Sequence, residues 1–207
     1  MRKVGKLWSL TLTFLAILFL VVFSIPAFVV DLSDSAQSSI ELVQWICWFA
    51  FAFDLFFGLL TSKSKKEYLL KHPLELMSVF LPFLRPLRLM RVISFGGLAL
   101  QKIAMGKQFA ITLKVALTAI FVSYIAAVQI TISERDVEGS NIKTFADGLW
   151  WAVTTVTTVG YGDRFPTTTE GRILAVMLML VGISLVGVIT ASVASWFVRL
   201  SQEESKN

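Results

Sequence analysis

Apolar residues are not spread evenly along this chain; they gather into long runs separated by short charged stretches. A helix needs roughly 20 apolar residues to cross ~30 Å of hydrocarbon. Residues 7–30 form such a run with no charge, and residues 40–60 form a second, interrupted by Asp54. A third covers 111–132, with Lys114 near one end, where its long side chain can reach the interface. Residues 173–198 make the fourth, uncharged and longest. The first run is too long, and too cleanly without a small-x-small cleavage site, to be a cleaved signal peptide. Between the second and third runs, residues 73–105 are apolar but carry Glu75, Arg85, Arg88 and Arg91. These 33 residues suffice for one long helix or two short ones. The pattern predicts an all-α membrane protein.

Charge placement gives the direction of the spans. Basic residues collect on the cytoplasmic side of membrane proteins. Arg2, Lys3 and Lys6 precede the first run, and Lys63, Lys65, Lys66 and Lys71 follow the second. Lys102, Lys107 and Lys114 border the 111–132 run, and Arg199 and Lys206 lie past the last. The alternate loops are acidic, with Asp31, Asp34 and Glu41 in one and Glu134, Asp136 and Glu138 in the other. All basic clusters share one side only if 73–105 crosses twice. That predicts six crossings, with both termini in the cytoplasm of a plasma or bacterial inner membrane. The plain alternative is a single crossing or a surface hairpin over 73–105.

Composition narrows the function. Of the 207 residues, 56% are hydrophobic and 16% charged, where soluble domains carry about 25% charge. Mean hydropathy is +0.73. These values exclude a disordered chain and disfavour a soluble domain. The net charge of +5 is explained by membrane orientation, so no nucleic-acid partner is expected. A single cysteine, Cys47, and a single histidine, His72, exclude an intrachain disulfide and the usual zinc patterns. No nucleophile–base set or phosphate loop supports an enzyme. About eight residues follow the last run, so the function is expected within the bilayer, without a soluble partner.

The chemistry sits between the last two runs. Residues 145–157 read as a short amphipathic helix, about 20 Å long and too short to cross. Thr158-Val159-Gly160-Tyr161-Gly162-Asp163 follows. This motif, with span, short helix and span around it, resembles the selectivity filter of potassium channels. The resemblance implies that four copies surround an axis, because one strand cannot enclose an ion. Rings of backbone carbonyls from Thr158, Val159, Gly160 and Tyr161 would then replace the water of a K⁺ ion, and the Thr158 hydroxyl would add the innermost ring. Aiming successive carbonyls at one axis requires alternating backbone handedness, and Gly160 and Gly162 tolerate positive φ. Val159 and Tyr161 would point outward as braces. The C-terminus of the short helix, worth about −0.5 charge, would face a cavity and favour a cation there. K⁺ is thus the expected permeant ligand and the only metal. No cofactor is expected.

Flanking residues extend the resemblance to simple bacterial potassium channels. The family pairs the first of two tryptophans with the aspartate after the filter and packs the second on the filter tyrosine, which implies Trp150–Asp163 and Trp151–Tyr161. Interfacial belt tryptophans are the alternative. Thr154 stands where a proton-gated bacterial channel has glutamate, so the glutamate–aspartate link behind the filter is missing. Phe165 falls at the outer mouth, where an aromatic ring forms a blocker site for tetraethylammonium. Gly182 matches the hinge glycine of the inner helix, with close helix packing as the alternative. Thr190, Ala194 and Val198 share one face and match a bundle-crossing gate. The Pro-x-Pro bend of many animal voltage-gated channels is absent.

The first four spans resemble a voltage-sensor domain less fully. Arg85, Arg88 and Arg91 recur at every third position, and intramembrane arginines need partners. Asp54 and Glu75 are the candidates, and Phe51 matches the aromatic plug. The stripe stops after Arg91, Pro86 interrupts it, and Gln44 occupies the place of the outer acidic partner. The expected organisation is a sensor-like domain over 1–105, a pore domain over 106–199 and a cytoplasmic tail over 200–207. The implied function is a homotetrameric, lipid-embedded, voltage-gated potassium channel of the six-span class. The alternatives are a voltage-insensitive potassium channel with a vestigial sensor, a potassium transporter subunit, and a non-conducting subunit that modifies a partner.

Overall fold

The computed structural model describes residues 2–62, 64–71 and 107–204. Among them every regular element is a helix. They are α1 (Arg2–Phe28), α2 (Asp34–Thr61), α3 (Lys65–Lys71), α4 (Lys107–Glu134), α5 (Phe145–Val156) and α6 (Thr169–Glu204). Four helices are long and apolar enough to cross a membrane, over Leu10–Phe28, Asp34–Thr61, Thr112–Glu134 and Thr169–Val198. The chain is therefore a multi-pass membrane protein. The double crossing expected over 73–105, with Glu75, Arg85, Arg88 and Arg91, lies outside the described residues.

Two compact units divide the chain, Met1–Ser94 and Phe95–Asn207. In the first, α1 buries Leu12, Ala16, Phe19, Phe23 and Ala27, spaced three or four apart and so on one stripe. α2 answers with Cys47, Phe51 and Leu55. Two contacts fix the pair as antiparallel. The Cys47 thiol donates to the Leu15 carbonyl at 3.9 Å, and Trp8 Nε1 donates to Asp54 Oδ1 at 2.7 Å. The opposite stripe of α1, with Leu10, Phe14, Ile17 and Val21, is apolar and exposed, as a helix facing lipid requires.

The acidic loop expected after α1 is mostly helix. Ser33 caps α2, accepting from the Ala36 N–H at 3.3 Å. Asp34 and Glu41 consequently sit in the first turns of α2, where a carboxylate near the positive end of the helix is favourable. The basic stretch after α2 also holds a helix, α3, folded back so that the Tyr68 ring fills the place a side chain would take at Gly58.

In the second unit α4 and α6 run antiparallel, with α5 wedged against both. Thr112 and Ser192 share a 2.6 Å hydrogen bond near one end, and Glu134 meets Thr167 and Thr168 at the other. Small residues let the three helices approach. Ala126, Ala127 and Ile130 of α4 pack with Trp151, Ala152 and Val156 of α5. Leu178 of α6 closes this core at 1% exposure. The buried residues of α5 are Gly148, Trp151, Ala152, Thr154, Thr155 and Val156, so its C-terminal turn is enclosed on nearly every side.

Candidate ion-conduction site

The short helix α5 begins with a reciprocal cap. Thr144 accepts from the Asp147 N–H at 3.2 Å, and Asp147 Oδ2 accepts from the Thr144 N–H at 3.0 Å. Asp147 also accepts from the Lys143 N–H and pairs with Arg164 at 2.8 Å. Burial pushes the Asp147 carboxyl up, but its bonds from Thr144 and Lys143 and the nearby Arg164 charge outweigh this and hold it below the ordinary value of 3.8. Arg164 lies two residues past Gly162, so this pair joins the start of α5 to the segment beyond the Thr158–Gly162 stretch.

α5 ends inside the chain, on the filter itself. A helix C-terminus leaves its last carbonyls without intrahelical donors. Here the Thr154 carbonyl accepts from both the Val159 and Gly160 N–H groups at 3.0 Å, and the Thr155 carbonyl accepts from Thr158 N–H at 3.0 Å. The helix end thus grips the start of Thr158–Gly162. The Val156 carbonyl lies against α6 at Gly182, where a Cβ would come within 2.5 Å of its oxygen. Any side chain at 182 would strike backbone. Close packing, the alternative to a hinge in the sequence, is what the geometry requires of Gly182.

Handedness alternates along the motif. Thr158 has φ +62°, Gly160 +56° and Gly162 +78°, while Val159 and Tyr161 are not in the positive region. Alternating left- and right-handed residues flips successive peptide planes and brings consecutive carbonyls to the same side. Sequence reading assigned positive φ only to the two glycines. Thr158 shares it, and is the one non-glycine residue among those described that does so. A β-branched residue there is a true outlier, costing of order 1–3 kcal/mol. The hydrogen bond that its N–H donates to the Thr155 carbonyl helps hold it in place.

Around the filter, Trp150 Nε1 donates to Asp163 Oδ2 at 2.8 Å. The resemblance paired Tyr161 with Trp151, and this needs correction within the chain. Tyr161 stacks on Trp150 instead, with ring centroids 5.5 Å apart and planes 5° from parallel. Adjacent helical residues point about 100° apart, and Trp151 turns into the α4–α6 core at 3% exposure. Thr154 is buried and donates to the Trp151 carbonyl at 3.0 Å. Val159, Tyr161 and Phe165 present exposed side chains on the single chain. Thr190, Ala194 and Val198 lie on one exposed face of α6. In the other unit Phe51 is buried, and Asp54 has Trp8 as a partner that sequence reading did not foresee.

The sequence places Glu134 in an acidic loop, and the structure corrects this. It is the last residue of α4 and fully buried. Its carboxylate accepts from the Thr167 N–H at 2.9 Å, the Thr168 N–H at 2.8 Å and the Thr168 hydroxyl at 2.7 Å. It also accepts from the Thr167 hydroxyl. Thr168 in turn caps α6, accepting from the Gly171 N–H at 3.0 Å. Asn141, also unforeseen, bonds the segment after the filter at two points. The available signals were slight: an acid just past an apolar run, and consecutive threonines after the filter.

The family model described as "Ion channel" matches residues 117–199. A calcium-gated potassium channel of Thermoplasma volcanium is 36% identical over 92 residues, 42% of this chain and 26% of that protein. A voltage-gated potassium channel of Aeropyrum pernix is 42% identical over 74 residues, 36% of this chain and 25% of that protein. The human potassium voltage-gated channel subfamily KQT member 3 is 41% identical over 73 residues, 33% of this chain and 8% of that protein. The chain thus spans about a quarter or less of the length of these relatives. Residues 117–199, with the alternating Thr158–Gly162 segment near their middle, match the ion-channel family model and are similar in sequence to potassium channels.

Proposed function

We propose that this chain is one subunit of a homotetrameric channel that conducts K⁺ passively and selectively. The observation that carries the reading is the alternating backbone of Thr158, Gly160 and Gly162 at the end of a short helix too short to cross. Such a strand offers a cation a column of carbonyl oxygens and nothing acidic. Four strands make rings from Thr158 to Tyr161, with Gly162 completing the alternation. The carbonyls substitute for hydration water, and the C-terminal end of α5 favours a cation beneath them. Val159 and Tyr161 brace the strands, while Trp150, Trp151, Thr154 and Asp163 support them from behind.

Thr190, Ala194 and Val198 are the proposed gate at the inner end of α6. Phe165 forms the outer blocker site, so Phe165→Val is expected to weaken tetraethylammonium block. Both termini face the cytoplasm, lipid surrounds the tetramer, and no cofactor takes part. Voltage is the proposed gating stimulus, sensed by Arg85, Arg88 and Arg91 against Asp54 and Glu75 past Phe51. Each charge that crosses the field is worth about 2.3 kcal/mol per 100 mV. Three in each of four subunits supply at most roughly 28 kcal/mol per 100 mV. Even one per subunit gives about 9 kcal/mol, enough to move a closed gate to open.

The test is K⁺ efflux from liposomes carrying the purified chain, with Gly160→Ala as control. The wild type is expected to release K⁺ and retain Na⁺, and the variant to release neither. Equal release of both ions by the wild type would sink the reading.

A further inference from the structure

The segment just beyond the filter, Asp163–Phe165, is held from outside the filter by a residue with no part in ion binding. Asn141 lies in the loop between α4 and α5. Its Nδ2 donates to the Asp163 carbonyl at 3.0 Å, and its Oδ1 accepts from the Phe165 N–H at 3.1 Å. One planar amide thereby fixes the peptide groups on both sides of Arg164. Only an amide carries a donor and an acceptor side by side in this way. Aspartate keeps the acceptor, loses the donor and turns a charged oxygen against a carbonyl. Alanine loses both bonds.

The loop that carries Asn141 is itself anchored. Ile142 is fully buried. Lys143 Nζ donates to the Arg135 and Val137 carbonyls at 2.9 and 2.8 Å. Asn141 therefore presents its amide from a fixed base. The Asp147–Arg164 pair holds the residue between its two bonds. Behind the filter the side-chain tether of this segment is the bond from Trp150 to Asp163, and Thr154 offers no carboxyl to add a second. Asn141 adds a tether from the α4–α5 loop, made to the main chain at two points.

We infer that Asn141 is a positioning residue for the outer end of the filter and sets how long the filter stays conductive once the pore is open. Ion coordination by carbonyls tolerates little displacement. Gly162, at φ +78°, is the flexible link through which a loosened Asp163–Phe165 segment would let the outermost ring drift. The inference rests on the proposed conduction through this filter.

The test is macroscopic current from full-length channels during sustained opening, at high and low external K⁺. Asn141→Ala is expected to speed current decay roughly tenfold or more, the combined effect of two lost hydrogen bonds. The acceleration is expected to be greatest at low external K⁺, where the outer ring is least often filled. The initial K⁺/Na⁺ reversal potential is expected to stay at the wild-type value, as a merely destabilised fold would not require. Asn141→Asp has the same size and carries the test if the alanine variant fails to assemble; it should decay at least as fast. Wild-type decay rates in the assembled variants, at both K⁺ concentrations, would overturn the inference while leaving conduction intact. A wild-type chain without K⁺ current would overturn the conduction reading itself, and this inference with it.

Discussion

The residues that matter most here combine a backbone demand with a close neighbour. Gly182 is the clearest. Its Cβ position is occupied by the Val156 carbonyl, so Gly182→Ala must push α6 away from the base of the filter. Overpacking of this kind costs about 1–3 kcal/mol. The expected result is a lower melting temperature of the purified assembly and loss of K⁺-selective current; an unchanged melt would show that the contact yields freely. Glu134 permits a graded test. Glu134→Ala leaves two N–H groups and two hydroxyls without their acceptor and is expected to cost about 3 kcal/mol or more. Glu134→Gln keeps one oxygen, and a threonine hydroxyl can turn to accept from the new amide, so about 1 kcal/mol is expected. Chemical denaturation of both variants measures the difference, and equal losses would contradict the assigned geometry. The filter glycines were legible in the sequence because only glycine takes positive φ freely. Thr158 was not, because a β-branched residue is expected to be extended and only the grip of α5 holds it otherwise. Trp150 and Trp151 are identical in type, so only the helix's rotation decides which one meets Tyr161.

At the scale of elements, apolar run length located the four long helices well and their ends poorly. The run read as 40–60 is helix from Asp34 to Thr61, because Ser33 caps it well outside the hydrocarbon stretch. The run read as 111–132 extends to Glu134, which ends buried rather than in water. A hydropathy pattern registers what lipid demands and is blind to caps. The start of α5 depends on such a cap. Thr144→Ala should cost about 1 kcal/mol, seen as a lower melting temperature. Its partner Asp147 gives the sign of a pH effect. The folded carboxyl sits below its ordinary value of 3.8, so it contributes stability that is present above that value. The contribution is lost as pH falls through the lower folded value. The melting temperature of the wild type is therefore expected to approach that of Asp147→Asn in strong acid and exceed it at neutral pH. A constant difference across that range would show that the cap and the Arg164 pair contribute nothing.

At the scale of the whole molecule, the chain joins two compact units. Residues 117–199 match an ion-channel family model, and within them the backbone alternates in handedness at Thr158, Gly160 and Gly162. The first unit supplies a buried aromatic at Phe51 and a carboxylate at Asp54, bonded by Trp8; the arginine stripe lies outside the described residues. A proposed sensor makes a sharp demand. Replacing Arg85, Arg88 and Arg91 with glutamine should flatten a steep open-probability curve without changing ion selectivity. An unchanged curve would leave the first unit without a sensing role and the channel voltage-insensitive. Selectivity itself is the deeper claim, and a bi-ionic reversal potential reaches it most directly. With K⁺ on one side of a bilayer holding the purified full-length chain and Na⁺ on the other, the current is expected to reverse far toward the potassium equilibrium potential and to track it as K⁺ is varied. Reversal near zero, or movement with Na⁺ as strongly as with K⁺, would contradict a filter built from Thr158 to Gly162.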